Sequence, residues 1–277
     1  MKKLDQKQIC TASSGNHGFA VSYASKLLGF NAKVFVPVSC DASKVENIRN
    51  VMNADIELVG DNCLVAELEA KKYAQQAGIP YISPYNDQDV VNGNGTVAVE
   101  IVEQVKELVD GGKSNGLTVG EGGSNVRVYV SVGGGGLIGG MSTYLKHVWP
   151  KCTIVGCQPE NSAVMYYSSL AGKILSDVKE LDTISDGTAG GIEEDAITFE
   201  ICQQFVDRYV LVSEEEIIKA MKHLLFKERL LVEGAAACAL SCLQKDMETL
   251  ESDNVISVVL LCGRNVAKEK IIKLASY

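Results

Sequence analysis

The run Val132-Gly133-Gly134-Gly135-Gly136-Leu137-Ile138-Gly139-Gly140 constrains this chain more than any other stretch. Four consecutive glycines cost roughly a kcal/mol each against alanine in a helix host, so a folded chain keeps them where bare backbone is needed. Ahead of them, Val126-Arg127-Val128-Tyr129-Val130-Ser131-Val132 reads as a buried strand; behind them, Leu137 to Val148 reads as a helix. A strand that feeds glycines into a helix N-terminus is an anion seat. The loop turns tightly, aims backbone N–H groups inward and lets a phosphate approach, while the helix dipole adds positive potential. The plainer alternative is a turn that only lets strand and helix pack closely.

No Gly-Lys-Ser/Thr ending follows, which argues against a nucleotide-triphosphatase loop. Gly134, Gly136 and Gly139 do satisfy G-x-G-x-x-G, and the next strand, Thr153 to Cys157, ends near Gln158 and Glu160, where a ribose-binding acid would stand. A dinucleotide-binding oxidoreductase therefore remains as an alternative.

A length of 277 residues allows one large domain or two smaller ones. The net charge of −9 argues against nucleic acid, whose binding normally needs a basic face. No apolar run approaches the ~20 residues of a membrane span, and Met1 to Gln8 has charge without an apolar segment behind it. A cytoplasmic protein without membrane partners is expected. The nine cysteines (10, 40, 63, 152, 157, 202, 238, 242 and 262) lack C-x-x-C spacing and read as reduced thiols, mostly core fillers. With three histidines in all (His17, His147 and His223), no metal centre is expected.

Strand and helix patterns alternate from the start. Strands are expected at Gln8–Ala12, Ala32–Pro37, Asp55–Val59 and Pro80–Ser83. Helices are expected between them at Phe19–Leu28, Ala42–Met52 (with Asp41 as N-cap) and Cys63–Ala77. That order is the signature of a parallel, doubly wound α/β sheet. A long helix over Val90–Val109 comes next. The glycine-rich stretch Gly111–Asn125 then reads as a flexible surface loop. Later strands are expected at Thr153–Cys157, Tyr209–Val212 and Val255–Leu261. Later helices are expected at Ala163–Leu170, Ile197–Val206, Glu214–Phe226, Ala235–Leu243 and Val266–Ala275. Ser213 and Glu216 have capping-box spacing.

Two further turns repeat the strand–loop–helix pattern. In Thr11-Ala12-Ser13-Ser14-Gly15-Asn16-His17-Gly18, the hydroxyls and N–H groups could cap the helix, seat a carboxylate, or, at a serine, relay a proton. His17 lies just inside the helix, where the dipole depresses an imidazole pKa and packing is the better role. Leu261-Cys262-Gly263-Arg264-Asn265 follows the last strand, at the edge where open α/β sheets bind ligands. Glu233-Gly234-Ala235-Ala236 opens another helix, which Glu233 could cap or from which it could face a site.

These turns occur in order with Asn86, Gly93-Asn94-Gly95-Thr96 and Ser185-Asp186-Gly187. Together they resemble the fold type II pyridoxal-phosphate enzymes, in particular the threonine/serine dehydratases (ammonia-lyases) and serine racemases, from about Gln8 onward. The resemblance implies two doubly wound α/β domains of the tryptophan synthase beta-like kind: a small one over residues 8–87 with a four-stranded parallel sheet, and a large cofactor-binding one over 88–277. It implies pyridoxal 5'-phosphate as cofactor and dehydration and deamination of L-threonine or L-serine, with a homodimer as a further expectation. Carried over by position, Gly133, Gly134, Gly135, Gly136 and Leu137 would hold the phosphate, and Asn16 would bond the ring hydroxyl. Asn86 and Glu233 would lie by the ring, and Cys262 would face the pyridine nitrogen. Ser13, Ser14, Gly15 and His17 would line the substrate carboxylate pocket, with Ser14 as proton relay.

Three departures accompany the resemblance. The family's Schiff-base lysine lies roughly two dozen residues upstream of the Ser-Ser-Gly-Asn turn, whereas twelve residues precede Ser13 here. The expectation is a larger domain incomplete at its N-terminal part, in which Lys2, Lys3 or Lys7 is a poor substitute. A non-catalytic cofactor-binding or interaction subunit is then an alternative to an enzyme. Where racemases and many dehydratases place carboxylates for a divalent ion, this chain has Gln158, Ser162 and Val164. Arg264 stands where the family usually has glycine.

Overall fold

The computed structural model describes residues 7–40, 42–51, 53–112, 116–248 and 254–275. Its first layer contains β1 (Gln8–Ala12), α1 (Asn16–Leu28), β2 (Asn31–Val36), α2 (Ala42–Glu46, continued by a π turn over Asn47–Val51), β3 (Asp55–Leu58) and α3 (Cys63–Ala77). The strands pair in parallel in the order β1-β2-β3. Alternate residues of β2 point to opposite faces. Phe35 joins Cys10 and Ala12 under Ala66, Ala70 and Ala74 of α3. Ala32, Val34 and Val36 meet Val45 and Ile48, with Phe19 of α1 packed against them.

The second layer follows as α4 (Gln88–Asp110), β4 (Val126–Ser131), α5 (Gly136–Val148), β5 (Thr153–Pro159), α6 (Val164–Ala171), α7 (Ile197–Phe205), β6 (Arg208–Val212), α8 (Glu214–His223, continued by a π turn over Leu224–Glu228), α9 (Gly234–Met247), β7 (Ile256–Val259) and α10 (Lys268–Ala275). Its four strands are parallel, in the order β6-β5-β4-β7. Val128, Val130 and Ile154 face Ala98, Val102, Ile138, Met141 and Leu145 on one side. Tyr129, Val155 and Cys157 face Ile217, Ala236, Cys238 and Cys242 on the other. Both sheets are thus covered on both faces, as a doubly wound α/β fold requires. Successive strands run from β4 out to β6, and β7 then returns to the far side of β4. The strand order reverses between β4 and β7, and a crevice at their carboxyl ends is where such sheets bind ligands.

Two expectations are corrected. Pro80–Ser83 is not a fourth strand of the first sheet; it contributes a single parallel bridge between Tyr81 and Cys10. Pro80 brings no N–H to a ladder, and the Ser83 hydroxyl accepts from Asn86 N–H at 2.9 Å, turning the chain before pairing can extend. The Gly111–Asn125 stretch is also more ordered than a flexible loop from residue 116 onward. Asn125 ties it, accepting from Gly120 N–H at 2.7 Å and donating to the Thr118 carbonyl at 2.8 Å. The proposed cap Asp41, like Lys2 and Lys3, lies outside the described residues. The capping box at Ser213 and Glu216 is formed on both sides. None of the nine cysteines is in a disulfide, and Cys238 and Cys242 are fully buried in the core. Among the described residues no helix is long and apolar enough to cross a membrane, and no group of three or more His, Cys, Asp or Glu side chains could hold a metal ion.

The helix α5 that follows the tetraglycine run is held against α4 through backbone. A Cβ on Gly140 would lie 2.1 Å from the Val91 carbonyl oxygen, and one on Gly95 would lie 3.1 Å from the Gly140 oxygen. Neither neighbour is a flexible side-chain tip, so a methyl there must separate the helices. Gly140→Ala is expected to lower stability by about 2–3 kcal/mol in urea unfolding, whereas Gly172→Ala, at a helix end with open space for the methyl but a left-handed φ of 68°, should lose only about 1 kcal/mol from backbone strain.

Candidate cofactor site

The glycine run leaves β4 at the strand-order reversal and opens α5. Gly135, at φ 86°, makes the turn in a region that L side chains rarely adopt. Protein packs closely behind the loop. A Cβ on Gly134 would lie 2.4 Å from the Tyr85 ring, one on Gly136 2.9 Å from Tyr85 Cα, and one on Gly133 3.2 Å from Thr188 Cα. The Thr198 hydroxyl donates to the Gly134 carbonyl at 2.6 Å and fixes the loop from α7. No hydrogen bond within the described residues uses the N–H groups of Gly133 through Leu137. A row of unpaired donors at a helix N-terminus is a site for an anion.

The other two turns reach the same place through Glu233, the residue before α9. Asn16 Nδ2 donates to Glu233 Oε1 at 3.1 Å, and the Asn265 N–H donates to Glu233 Oε2 at 3.2 Å. Gly263 lies so close that a Cβ there would fall 2.1 Å from Glu233 Oε1. Gly187, in the turn that backs Gly133, would carry a Cβ 3.7 Å from the same oxygen. Burial raises the Glu233 carboxyl, against the opposing pull of Asn265 N–H and Asn16. The Cys262 thiol is pushed up to about 12, first by burial and then by the Glu233 charge, so it is neutral near pH 7.

The turn 185–188 is clamped from two helices. Lys44 of α2 and Lys270 of α10 both pair with Asp186 Oδ2, at 2.8 and 3.0 Å. Burial opposes charge on the Lys44 ammonium, but Asp186 outweighs it and the net shift is upward; Asp186 itself is held below its usual range because the two lysines outweigh its own burial. Lys7 ends at the opposite end of α1, its Nζ 3.8 Å from where a Cβ on Gly29 would stand. The 13 residues of α1 span about 20 Å at 1.5 Å each, which separates this amine from Ser13–Asn16.

Several expected site residues have other partners. Ser13 Oγ accepts from Gly15 N–H at 3.1 Å, which shapes the turn; Ser14 is half-buried. His17 Nε2 lies 3.0 Å from Thr11 Oγ1 and 3.2 Å from the Ile82 carbonyl. Burial lowers its pKa, so the ring is neutral and occupied in packing. Asn86 donates to Glu193 Oε2 at 2.5 Å and Asp195 Oδ1 at 3.1 Å, and accepts from Ile197 N–H at 3.0 Å. Its amide therefore holds the first turn of α7. Arg264 is exposed. Gln158 is buried, with its amide spent on the Val132 carbonyl at 3.0 Å and on Tyr166 N–H at 2.8 Å; Glu160 pairs with Lys245 at 3.6 Å. The Gln158 amide is thus not left to receive a ribose. Where the divalent-ion carboxylates would stand, Ser162 donates to Glu180 at 2.5 Å, and Gly190 N–H donates to the same carboxylate at 3.0 Å.

Tyr85, Thr188, Thr198 and Lys44 escaped the sequence reading. The Ser185-Asp186-Gly187 motif was the one signal pointing toward this group; the others act through distant packing that spacing does not reveal.

Comparison with known proteins agrees with this geometry. The profile of the family described as pyridoxal-phosphate dependent enzyme matches residues 1–263. The chain is 31% identical over 261 residues to the biosynthetic L-threonine dehydratase IlvA of Staphylococcus aureus, covering 91% of this chain and 57% of that protein. It thus spans little more than half the length of such curated relatives. Among solved structures, the processed form of threonine deaminase isoform 2 from Solanum lycopersicum is similar at 28% identity and a TM-score of 0.81, with 100% of this chain and 75% of that one covered. Maize serine racemase is similar at 26% identity and a TM-score of 0.83, with 100% and 78% covered. On the family match, the parallel α/β layers and the glycine cradle at the strand-order reversal, the chain belongs to the pyridoxal-phosphate dependent enzymes of fold type II, whose cofactor is pyridoxal phosphate.

Proposed function

We propose that this chain carries the cofactor on its glycine loop and serves the dehydration and deamination of L-threonine or L-serine to a 2-oxo acid and ammonia. The observation that carries the reading is the meeting of the Asn16 and Cys262 turns at Glu233, with the Gly187 turn that backs Gly133 beside the same carboxylate, next to a row of unpaired amide donors. A phosphate fits that row: the backs of Gly133, Gly134 and Gly136 are closed by Thr188 and Tyr85, so their N–H groups are fixed before a ligand arrives. When bound, pyridoxal phosphate supplies an aldehyde for the substrate amine and a ring that draws electrons from the substrate α-carbon.

This chain's residues would divide the remaining work. Gly133 to Leu137 would bond the phosphate, and the dipole of α5 would add to their hold. The Asn16 amide, already facing Glu233, would turn to the ring hydroxyl. Cys262, kept as a neutral thiol, would meet the pyridine nitrogen without protonating it. A ring left unprotonated is the weaker electron sink, which suits expulsion of a β-hydroxyl over chemistry that needs a long-lived carbanion. Ser13, Ser14 and Gly15, at the N-terminus of α1, would seat the substrate carboxylate, and the Ser14 hydroxyl would move a proton at the substrate α-carbon. Glu233 would hold the ring's edge in place through Asn16 and Asn265. His17 and Asn86 would support the pocket from behind, since their side chains serve Ile82 and the start of α7.

A second reading, reversible cofactor binding without turnover, is favoured by one observation. Lys44 and Lys270, which reach the turn behind Gly133, are both engaged by Asp186, and the Lys7 amine lies at the other end of α1. Borohydride reduction of the cofactor-loaded protein, followed by peptide mapping, separates the two: a labelled lysine supports turnover, and unlabelled protein that still binds supports the second reading.

Titration with pyridoxal phosphate, followed by absorbance, is expected to saturate in the wild type. In Gly134→Ala the added methyl displaces Tyr85 and the loop, and affinity should fall at least about tenfold, equivalent to about 1.4 kcal/mol. Failure of the wild type to take up cofactor would end the proposal. In a 2-oxo acid assay with L-threonine and L-serine, Ser14→Ala should lower kcat by about 10²-fold or more with cofactor affinity unchanged; equal loss of both would make Ser14 a structural residue.

A further inference from the structure

Backing the glycine loop is a set of ionisable groups that the chemistry above does not use. Tyr85 is at its centre. The tyrosine lies so close to the loop that a Cβ on Gly134 would stand 2.4 Å from its ring carbons and one on Gly136 2.9 Å from its Cα. Its hydroxyl donates to Glu67 Oε2 at 3.1 Å and accepts from Glu193 N–H at 3.1 Å. Glu67 belongs to α3 of the first layer, and Glu193 to the segment ahead of α7 in the second. One buried phenol therefore joins both layers to the loop. Lys71 Nζ and Asn86 Nδ2 each sit 2.5 Å from Glu193 Oε2, while Glu193 Oε1 is buried without a partner among the described residues.

We propose that Tyr85 is a positioning residue for the phosphate loop, and that protonation of Glu67 braces it while ionisation of Glu67 loosens it. The inference rests on the reading that this loop holds the cofactor phosphate. The physical ground is two buried carboxyl groups served by one ammonium. Glu67 and Glu193 are each less than a tenth exposed, and Lys71 pairs with Glu193 and, at 4.0 Å, with Asp195, but makes no ion pair with Glu67. An ionised Glu67 repels Glu193 across the Tyr85 hydroxyl and pushes α3 from the 191–196 segment; a protonated one does not.

The groups facing Glu67 are Tyr81 and Tyr85 from the segment beside β1, Cys63 and Lys71 from its own helix, and Glu193 from the opposite layer. Burial foremost, then the Glu193 charge, raise the Glu67 carboxyl to about 7 against the opposing Tyr85 and Lys71. Both tyrosines and Cys63 are raised by burial and stay neutral across the physiological range. The sign follows from proton counting. The braced form keeps a proton that an opened form, with an ordinary carboxyl near 4.5, has lost. Bracing therefore weakens as pH rises through that window, by about tenfold between pH 6 and pH 8.

The test compares wild type, Glu67→Gln and Tyr85→Phe at pH 6 and pH 8. Two readouts are taken: the dissociation constant for pyridoxal phosphate, and hydrogen exchange of residues 133–138 in the cofactor-free protein. The Gln variant is neutral at both values, so wild-type affinity should fall about tenfold more than the variant's from pH 6 to pH 8. At pH 8 the variant's loop should be the more protected. Tyr85→Phe, which severs the link to Glu67, should remove the difference in exchange while leaving the ring against Gly134. The same pH dependence in wild type and Glu67→Gln, with cofactor bound by both, overturns the proposal. If the wild type binds no cofactor, the functional reading fails by itself and hydrogen exchange still decides this one: protection that does not differ between the two proteins at pH 8 overturns it. Should Glu67→Gln not fold, unchanged pH-dependent exchange in Tyr85→Phe overturns it alone.

Discussion

Glu233 joins what the chain keeps far apart. Its carboxylate accepts from Asn16, at the start of the first layer, and from the Asn265 N–H, after the last strand, while its own N–H donates to the Gly263 carbonyl at 3.1 Å. Hydrogen bonds to a charged acceptor are about twice as strong as neutral ones, and both oxygens are used. Without that carboxylate, the Asn16 turn and the Cys262 turn have no common partner, and the crevice beside the glycine loop loses its far wall. Gly263 makes the arrangement possible by having no side chain where the carboxylate lies.

Charge is distributed around this crevice with some economy. The thiol at the end of β7 is neutral, the imidazole of His17 is neutral, and the Asp186 carboxylate is matched by two ammonium groups. A dianionic phosphate seated on the glycine loop as proposed would then meet amide donors and a helix N-terminus, with Asp186 already engaged by two lysines. Lys44 and Lys270 have a structural consequence too: they come from α2 and α10, so the turn behind Gly133 is fixed by both layers at once.

Two polar side chains at the margins of the site are fully occupied by neighbours. Ser162 and Glu180 make a direct hydrogen-bonded clip, and Gly190 N–H completes it. Gln158, suggested by spacing as a sugar contact, instead stitches β5 to the end of β4 and to α6. The role that spacing suggested for Gln158 gives way to these bonds, because a buried amide takes the nearest backbone groups that satisfy it.

Local pattern was enough for most of the elements. Cys63–Ala77 was legible to the residue, because Asn62 caps it and its apolar spacing is regular. The parallel, doubly wound class followed from strand–helix alternation, and the order strand, glycine run, helix suggested the anion seat proposed above. What spacing could not carry was anything that depends on strand order. The reversal between β4 and β7, which makes a crevice of the Gly133 and Cys262 turns, is a property of four strands together. The failed fourth strand at Pro80–Ser83 was lost to a turn held by one serine hydroxyl, and the roles of Tyr85, Thr198, Lys44 and Asn86 all come from partners about 50 to 140 residues away in the chain, separations at which only packing brings side chains together. Sequence determined which segments could form and which loop needed bare backbone; the tertiary structure decided what that loop faces, because contact between distant side chains is set by the packing of whole layers and not by any local period.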